Sequence, residues 1–137
     1  MGNASDAMLV SASGMRAQAA RMRIISENIA NADSTAREPG GDPYQRQIPV
    51  FDTELDRATG INRVRMTDVA QDMSEFTLEF DPGHPAADDD GYVRTSNVNM
   101  LVEMMDMREA MRTYEANLNM IENSRSMQQR ALDLLRR

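Results

Sequence analysis

Along the first part of the chain, apolar and small residues recur at spacings that alternate between four and three. The positions are Met8, Ala12, Met15, Ala19, Met22, Ser26 and Ile29. This alternation predicts a helix from about Asp6 to Ala32 with a heptad seam. Gly14 costs about 1 kcal/mol relative to alanine inside a helix, so it indicates that a neighbour packs closely there. An ordinary amphipathic helix would explain the spacing but not the glycine.

A second stripe with the same alternation ends the chain. It reads Met100, Met104, Met107, Met111, Tyr114, Leu118 and Ile121, and it resumes at Leu132 and Leu135. The pattern predicts a helix from about Asn99 to Leu135, with either Asn97 or Asn99 as its cap. We expect the two stripes to pair as a coiled coil and to stay incomplete until other chains pack on them.

The residues between the stripes predict a loop arm and a short β-hairpin. Residues 38–43 are a loop by composition, and residues 44–51 are extended but contain a proline, which suits an arm or an edge strand. Apolar residues alternate at 64–66 and again at 76–80, with a polar link at 72–75 between these two strands. Two strands alone are marginal in water, so the hairpin must lean on a helix or a partner.

The predicted fold is therefore mainly α with a small β element. We divide it into an N-terminal coiled-coil helix in 1–35, an arm and hairpin in 36–96, and a C-terminal coiled-coil helix in 97–137. The two helices together are expected to form one core domain.

Composition indicates a small core and few kinds of partner. The 137 residues include no tryptophan, three phenylalanines, three tyrosines and thirteen methionines. Methionine fills irregular cores and also suits adaptable binding surfaces, and we weight the two uses equally. A net charge of -7 with scattered arginines argues against nucleic acid and against anionic membrane surfaces. The absence of cysteine excludes disulfides and thiolate metal sites.

Neither targeting segments nor catalytic groups stand out. No basic residue precedes Arg16 and no apolar run approaches membrane-spanning length, so we expect no cleaved signal peptide and no membrane span. His84, the only histidine, lies in a turn between Gly83 and Pro85. Residues 88–91 resemble a calcium loop only faintly, because two essential carboxylates are missing. We expect no enzyme activity, cofactor, metal or small-molecule substrate.

Several short motifs resemble those of the bacterial flagellar axial proteins, which include rod, hook and hook-associated proteins. The N-terminal motif is Ser13 to Gln18 followed by Glu27 to Ser34. Asp81 to Pro85, Asp88 to Arg94 and Tyr114 to Asn117, together with the short chain, narrow the resemblance to a subunit of the proximal rod. The chain departs from the family at 72–75 and at 95–97, where we would expect prolines.

The resemblance implies a structural subunit that polymerises into the rod, the drive shaft that crosses the periplasm. It implies that the terminal helices pack around a narrow central channel, and that the flagellar type III apparatus exports the chain. Its implied partners are other copies of itself, other rod proteins and the adaptor that joins the rod to the membrane ring.

Asn28, Asn31 and Asp33 mark the end of the first stripe. We expect the two amides to bond across helix contacts or to the turning backbone, because an unpaired buried amide penalises wrong registers. Asp33, with Ser34 and Thr35, is expected to favour the exit of the chain through local side-chain hydrogen bonds. An asparagine near a helix end is also common without such a role.

A second hypothesis is a helical coiled-coil adaptor or secretion chaperone that forms a small soluble oligomer. It explains the heptads but not the loop motifs, and a defined dimer stable at all concentrations would favour it. Periodicity alone supports only self-association.

Overall fold

The computed structural model describes residues 4–136, in which four strands lie between an N-terminal and a C-terminal helix in sequence order. The elements are α1 (Ala4–Ala30), β1 (Gln47–Asp56), β2 (Ile61–Gln71), β3 (Thr77–Phe80), β4 (Tyr92–Thr95) and α2 (Met100–Leu135). The prediction of a mainly helical fold with a small β element is confirmed. Across the described residues, neither helix has a stretch long and apolar enough to span a membrane.

Both helices begin and end close to the predicted residues. α2 starts where Asn99 Oδ1 accepts hydrogen bonds from the backbone N–H of Leu101 at 3.1 Å and of Val102 at 3.4 Å. Asn99 is therefore the N-cap, as one of the two predicted alternatives has it. α1 ends in a turn at 31–33, which begins as Asn31 N donates to the carbonyl oxygens of Glu27 and Asn28.

The strands pair differently from the predicted hairpin. β1 pairs with β2, and β3 pairs with β4 in the antiparallel register Thr77↔Thr95 to Phe80↔Tyr92. Pairing of the 64–66 and 76–80 segments across a tip at 72–75 was therefore wrong. The physical reason is that the link is held elsewhere: Asp72 N donates to Arg46 O at 2.8 Å. The segment with Pro49 does form a strand, which suits a two-stranded sheet because each strand has a free edge.

The chain folds into two compact units, each of which takes part of both helices. The first unit contains residues 4–22, 50–68 and 108–136, and the second contains Arg23–Pro49 and Val69–Met107.

In the first unit, small side chains let the two helices approach closely. A Cβ built on Gly14 would lie 2.8 Å from Asn117 Nδ2, so the expectation of a close neighbour at this glycine is confirmed. Arg21 pairs with Glu109 at 3.6 Å, and the two contacts together give antiparallel helices. Ala110 is fully buried. Pairing as a true coiled coil remains a prediction.

In the second unit, a small apolar cluster supports the β3–β4 sheet. Ala36, Ala86 and Val93 form this cluster. The ring centroids of Phe80 and Tyr92 lie 5.3 Å apart in an edge-to-face arrangement. Gly91, just before β4, has φ +86°, and a Cβ there would lie 2.9 Å from Phe80 Cε2.

We expect Gly91→Ala to destabilise the second unit more than Gly40→Ala does. Both glycines have a positive φ, but nothing lies within 4 Å of a Cβ at Gly40. Gly40→Ala should cost about 1 kcal/mol from backbone strain, and Gly91→Ala at least about 1 kcal/mol more because the new methyl group displaces the ring. Urea unfolding followed by circular dichroism measures both. Equal losses would contradict the contact with Phe80.

Candidate assembly interface

All the predicted seam residues lie at the surface of the chain or are partly buried there; none is in its core. The half-buried ones are Met8, Ala12, Met15, Met22, Ile29, Met107, Tyr114 and Ile121; the exposed ones are Ala19, Met100, Met104, Met111, Leu118, Leu132 and Leu135. We call the exposed positions on α2 the α2 stripe. An exposed apolar stripe of this length is a feature of association surfaces.

On α2, the buried residues and the residue beside Gly14 lie one position before the predicted seam. In the first unit, α2 buries Ala110 and Ser124 and places Asn117 beside Gly14. Ala110 and Asn117 come directly before the seam residues Met111 and Leu118. Ser124 follows Asn117 at the same spacing of seven residues. Two helices can pack closely only where the side chains between them are small, so the larger methionines and leucines of α2 face outward.

Asn28 joins the end of α1 to the arm. Its side chain is only 1% exposed. Nδ2 donates to Gln47 O at 2.9 Å, and Oδ1 accepts from Gln47 N at 2.9 Å and from the Tyr44 hydroxyl at 2.8 Å. The carboxamide thus pairs with both backbone groups of one residue, as a neighbouring strand would. These partners are Tyr44 and the first residue of β1, whereas the expected partners were helix contacts or the turning backbone after α1. The role of Asn28 in setting the register stays a prediction.

The other residues of the exit motif make local or weaker contacts. Asn31 Nδ2 donates to Glu27 O at 2.8 Å, one helical turn back. Asp33 is exposed in the turn. Ser34 Oγ accepts from Tyr44 N at 3.1 Å, so this side chain reaches the arm and not its immediate neighbours. Among these residues, Asn28 makes the largest number of contacts with the arm.

Arg46 is surrounded by three carboxylates in the second unit. Its Nε donates to Glu103 Oε1, Nη1 lies 3.3 Å from Asp72 Oδ2, and Nη2 lies 3.8 Å from Asp106 Oδ2. Glu103 is 0% exposed. Burial lowers the pKa of Arg46, but the hydrogen bonds and charges of Glu103 and Asp72 outweigh it, so the pKa lies above its usual value. Arginine stays protonated in proteins, so this cluster always contains a positive charge.

Asn97 and Asp72 attach the link to the start of α2. Asn97 Oδ1 accepts from Arg46 N at 2.7 Å, and its Nδ2 donates to Asp72 O at 2.9 Å. Hydrogen bonds from Ser74, first that of its backbone N–H at 2.8 Å, lower the pKa of Asp72, and Arg46 adds to this. Burial, together with the negative charges of Glu27 and Glu103, raises the pKa of Tyr44.

We call this set the polar junction; its members are Asn28, Tyr44, Arg46, Gln47, Asp72, Asn97, Glu103 and Asp106. Sequence reasoning found Asn28 but assigned Asn97 only as a possible cap, and it missed Arg46 and Glu103. The latter two are 57 residues apart, so no local pattern could have paired them. Throughout residues 4–136, no group of three or more potential metal ligands is arranged to hold an ion.

We expect Asn28→Leu to cost at least about 2 kcal/mol more stability than Asn31→Leu. The first leaves the Tyr44 hydroxyl and both backbone groups of Gln47 without a partner, whereas the second removes one exposed bond at a helix end. Denaturant unfolding of the two purified variants, monitored by circular dichroism, gives the difference. Similar losses would show that Asn28 is not essential to the junction.

Two family models match the ends of this chain. The model described as flagella basal body rod protein matches residues 8–37, and the model described as flagellar basal body rod FlgEFG protein C-terminal matches residues 89–134. The first match contains the exit motif and its helix, and the second contains β4 and nearly all of α2.

Curated relatives cover almost the whole chain. The chain is 48% identical to flagellar basal-body rod protein FlgC of Agrobacterium fabrum over 132 residues, which are 96% of this chain and 95% of the relative. It is 39% identical to FlgC of Borreliella burgdorferi, with 92% and 93% covered, and 34% identical to FlgC of Bacillus subtilis, with 91% and 93% covered. The chain belongs to the FlgC family, whose members are structural subunits of the flagellar basal-body rod and not enzymes.

Proposed function

We propose that the α2 stripe is the surface through which this rod subunit packs against other copies of itself and other rod proteins. The exposure of the stripe carries the proposal. A rod subunit whose largest apolar side chains face water gains their burial only when neighbours cover them. The groove that Ala12, Met15 and Ala19 form beside Tyr114 is the complementary site for a neighbouring side chain.

We further infer a place in the proximal rod, in the drive shaft that crosses the periplasm and in the wall of its export channel. The loop motifs at 81–85 and 88–94 support this place, because they are the part of the resemblance that points to the proximal rod. Torque would pass through packed helices without catalysis. The remaining proposed partners are the adaptor to the membrane ring and the flagellar type III export apparatus, which would export the chain.

The polar junction gives Asn28 and Asn31 a role in this proposal. Asn28 holds the arm at Gln47, so the arm leaves α1 in one direction toward a neighbouring subunit. Asn31 and Asp33 lie at the turn where it leaves. We expect both Asn28→Leu and Asn31→Leu to impair assembly or register more than secretion, with the larger effect at Asn28.

Deletion of the gene tests the assignment to the proximal rod. We expect detergent-extracted basal bodies of the deletion strain to keep their membrane rings and lack the rod, and a plasmid copy to restore rod and swimming. Intact rods and normal swimming in the deletion strain would overturn the assignment.

Leu118→Asp tests the α2 stripe itself, with Asn119→Asp as its matched control. Both positions are exposed on α2 and both variants gain one negative charge, but only Leu118 is in the stripe. Because a buried unpaired carboxylate is costly, we expect Leu118→Asp to reduce rods in the rescued strain at least about ten-fold, and Asn119→Asp to swim normally. The purified variants should unfold like wild type. Normal rods with Leu118→Asp would contradict the proposed interface.

A further inference from the structure

Methionine is the only sulfur-containing side chain of this protein, and several methionines lie open to solvent. The chain has thirteen methionines and no cysteine. In the α2 stripe, Met104 is 51% exposed and Met111 is 49% exposed. Met107, which lies between them in sequence, is half-buried. Three stripe thioethers, those of Met100, Met104 and Met111, are therefore open to any oxidant in solution, and the two most exposed, Met104 and Met111, lie seven residues apart on one helical face.

We propose that Met104 and Met111 form an oxidation-sensitive site, at which a peroxide converts the free subunit into one that cannot join the rod. The inference rests on the proposed function of the α2 stripe. The modification is a two-electron oxidation of each thioether to a sulfoxide. The sulfur lone pair attacks one peroxide oxygen, an S–O bond forms, and the O–O bond breaks. The departing hydroxide takes the proton of the transferred hydroxyl group, so hydrogen peroxide is reduced to water.

The sulfoxide acts on association and not on the fold. In the free subunit both side chains are about half exposed, so the new S–O dipole stays hydrated and folding loses little. Packing of the stripe against a neighbour removes that water, and an apolar helix face offers the sulfoxide oxygen no hydrogen-bond donor. Once a subunit is in place, its neighbours exclude the oxidant. Sensitivity is therefore confined to the interval between synthesis and assembly.

Met73 provides an internal control. It is 83% exposed, more than either stripe methionine, and it lies in the link before β3, outside both helices. Its sulfur accepts a hydrogen bond from Gln45 Nε2 at 3.4 Å. By exposure alone, Met73 should react with peroxide faster than Met104 or Met111. If the effect of oxidation is specific to assembly, a polar group at Met73 should leave rods unchanged, whereas polar groups at Met104 and Met111 should reduce them.

Plasmid rescue of the deletion strain provides the test, with glutamine as a polar stand-in for the sulfoxide. We expect Met73→Gln to build rods as wild type does, and Met104→Gln/Met111→Gln to build at least about ten-fold fewer. A sublethal pulse of hydrogen peroxide during induction should reduce rods made from the wild-type chain, whereas Met104→Leu/Met111→Leu, the leucine variant, should keep the rod number that it has without the pulse. The same pulse after assembly should have no effect on rod number.

Two measurements keep the outcome unambiguous. The purified glutamine variant should unfold like wild type, and peptide mass spectrometry should find sulfoxide at Met104 and Met111 in unassembled wild-type chain from pulsed cells. Normal rods with the glutamine variant, equal peroxide sensitivity of the leucine variant, or no sulfoxide at these positions would each overturn the inference. The proposed function fails separately, by normal rods in Leu118→Asp.

Discussion

The double hydrogen bond between the Asn28 carboxamide and the backbone of Gln47 is the interaction on which the second unit depends. The amide of Asn28 bonds to the backbone N–H and C=O of Gln47 as a neighbouring strand would. With Gln47 held in this way, the preceding residue, Arg46, lies next to Glu103. Arg46 in turn binds Asn97 and Asp72 through its backbone, so the arm, the link and the start of α2 converge on one short segment. A single buried amide thus fixes the path of four chain segments.

We expect the charged groups around Arg46 to contribute specificity more than stability. Glu103 is fully buried, and among the described residues its Oε2 has no hydrogen-bond partner. Removing charges from water costs several kcal/mol per ion, roughly what a close partner returns. An apolar cluster of the same size would hold the segments together as well, but it would tolerate several alignments. A planar guanidinium among three carboxylates accepts one alignment, which a subunit that must repeat along a rod requires.

Apolar residues are distributed in the opposite way from an ordinary globular domain. The buried apolar residues of the described chain are Ala17, Ile24, Ile25, Ala36, Ala86, Val93 and Ala110, most of them alanines. The methionines and leucines of the α2 stripe face water. Neighbours that bind only the folded subunit would stabilise it by mass action, so the assembled rod would supply the burial that the single chain lacks. The same exposure makes methionine chemistry relevant before assembly.

Local patterns in the sequence determined both helices, an asparagine cap at position 97 or 99, a close neighbour at Gly14 and the family, because each depends on residues within a few turns or on contiguous motifs. The structure selected Asn99 as the cap. Only the tertiary structure decided which strands pair and which helix face is buried. Strand pairing depends on the hydrogen bonds that Arg46 and Asn97 make with Asp72 in the link. An alternation of apolar and polar residues does not reveal such bonds. Small residues lie between the two helices because only small side chains allow a close approach. The heptad pattern shows which positions are apolar, but it does not show whether they pack against the same chain or another.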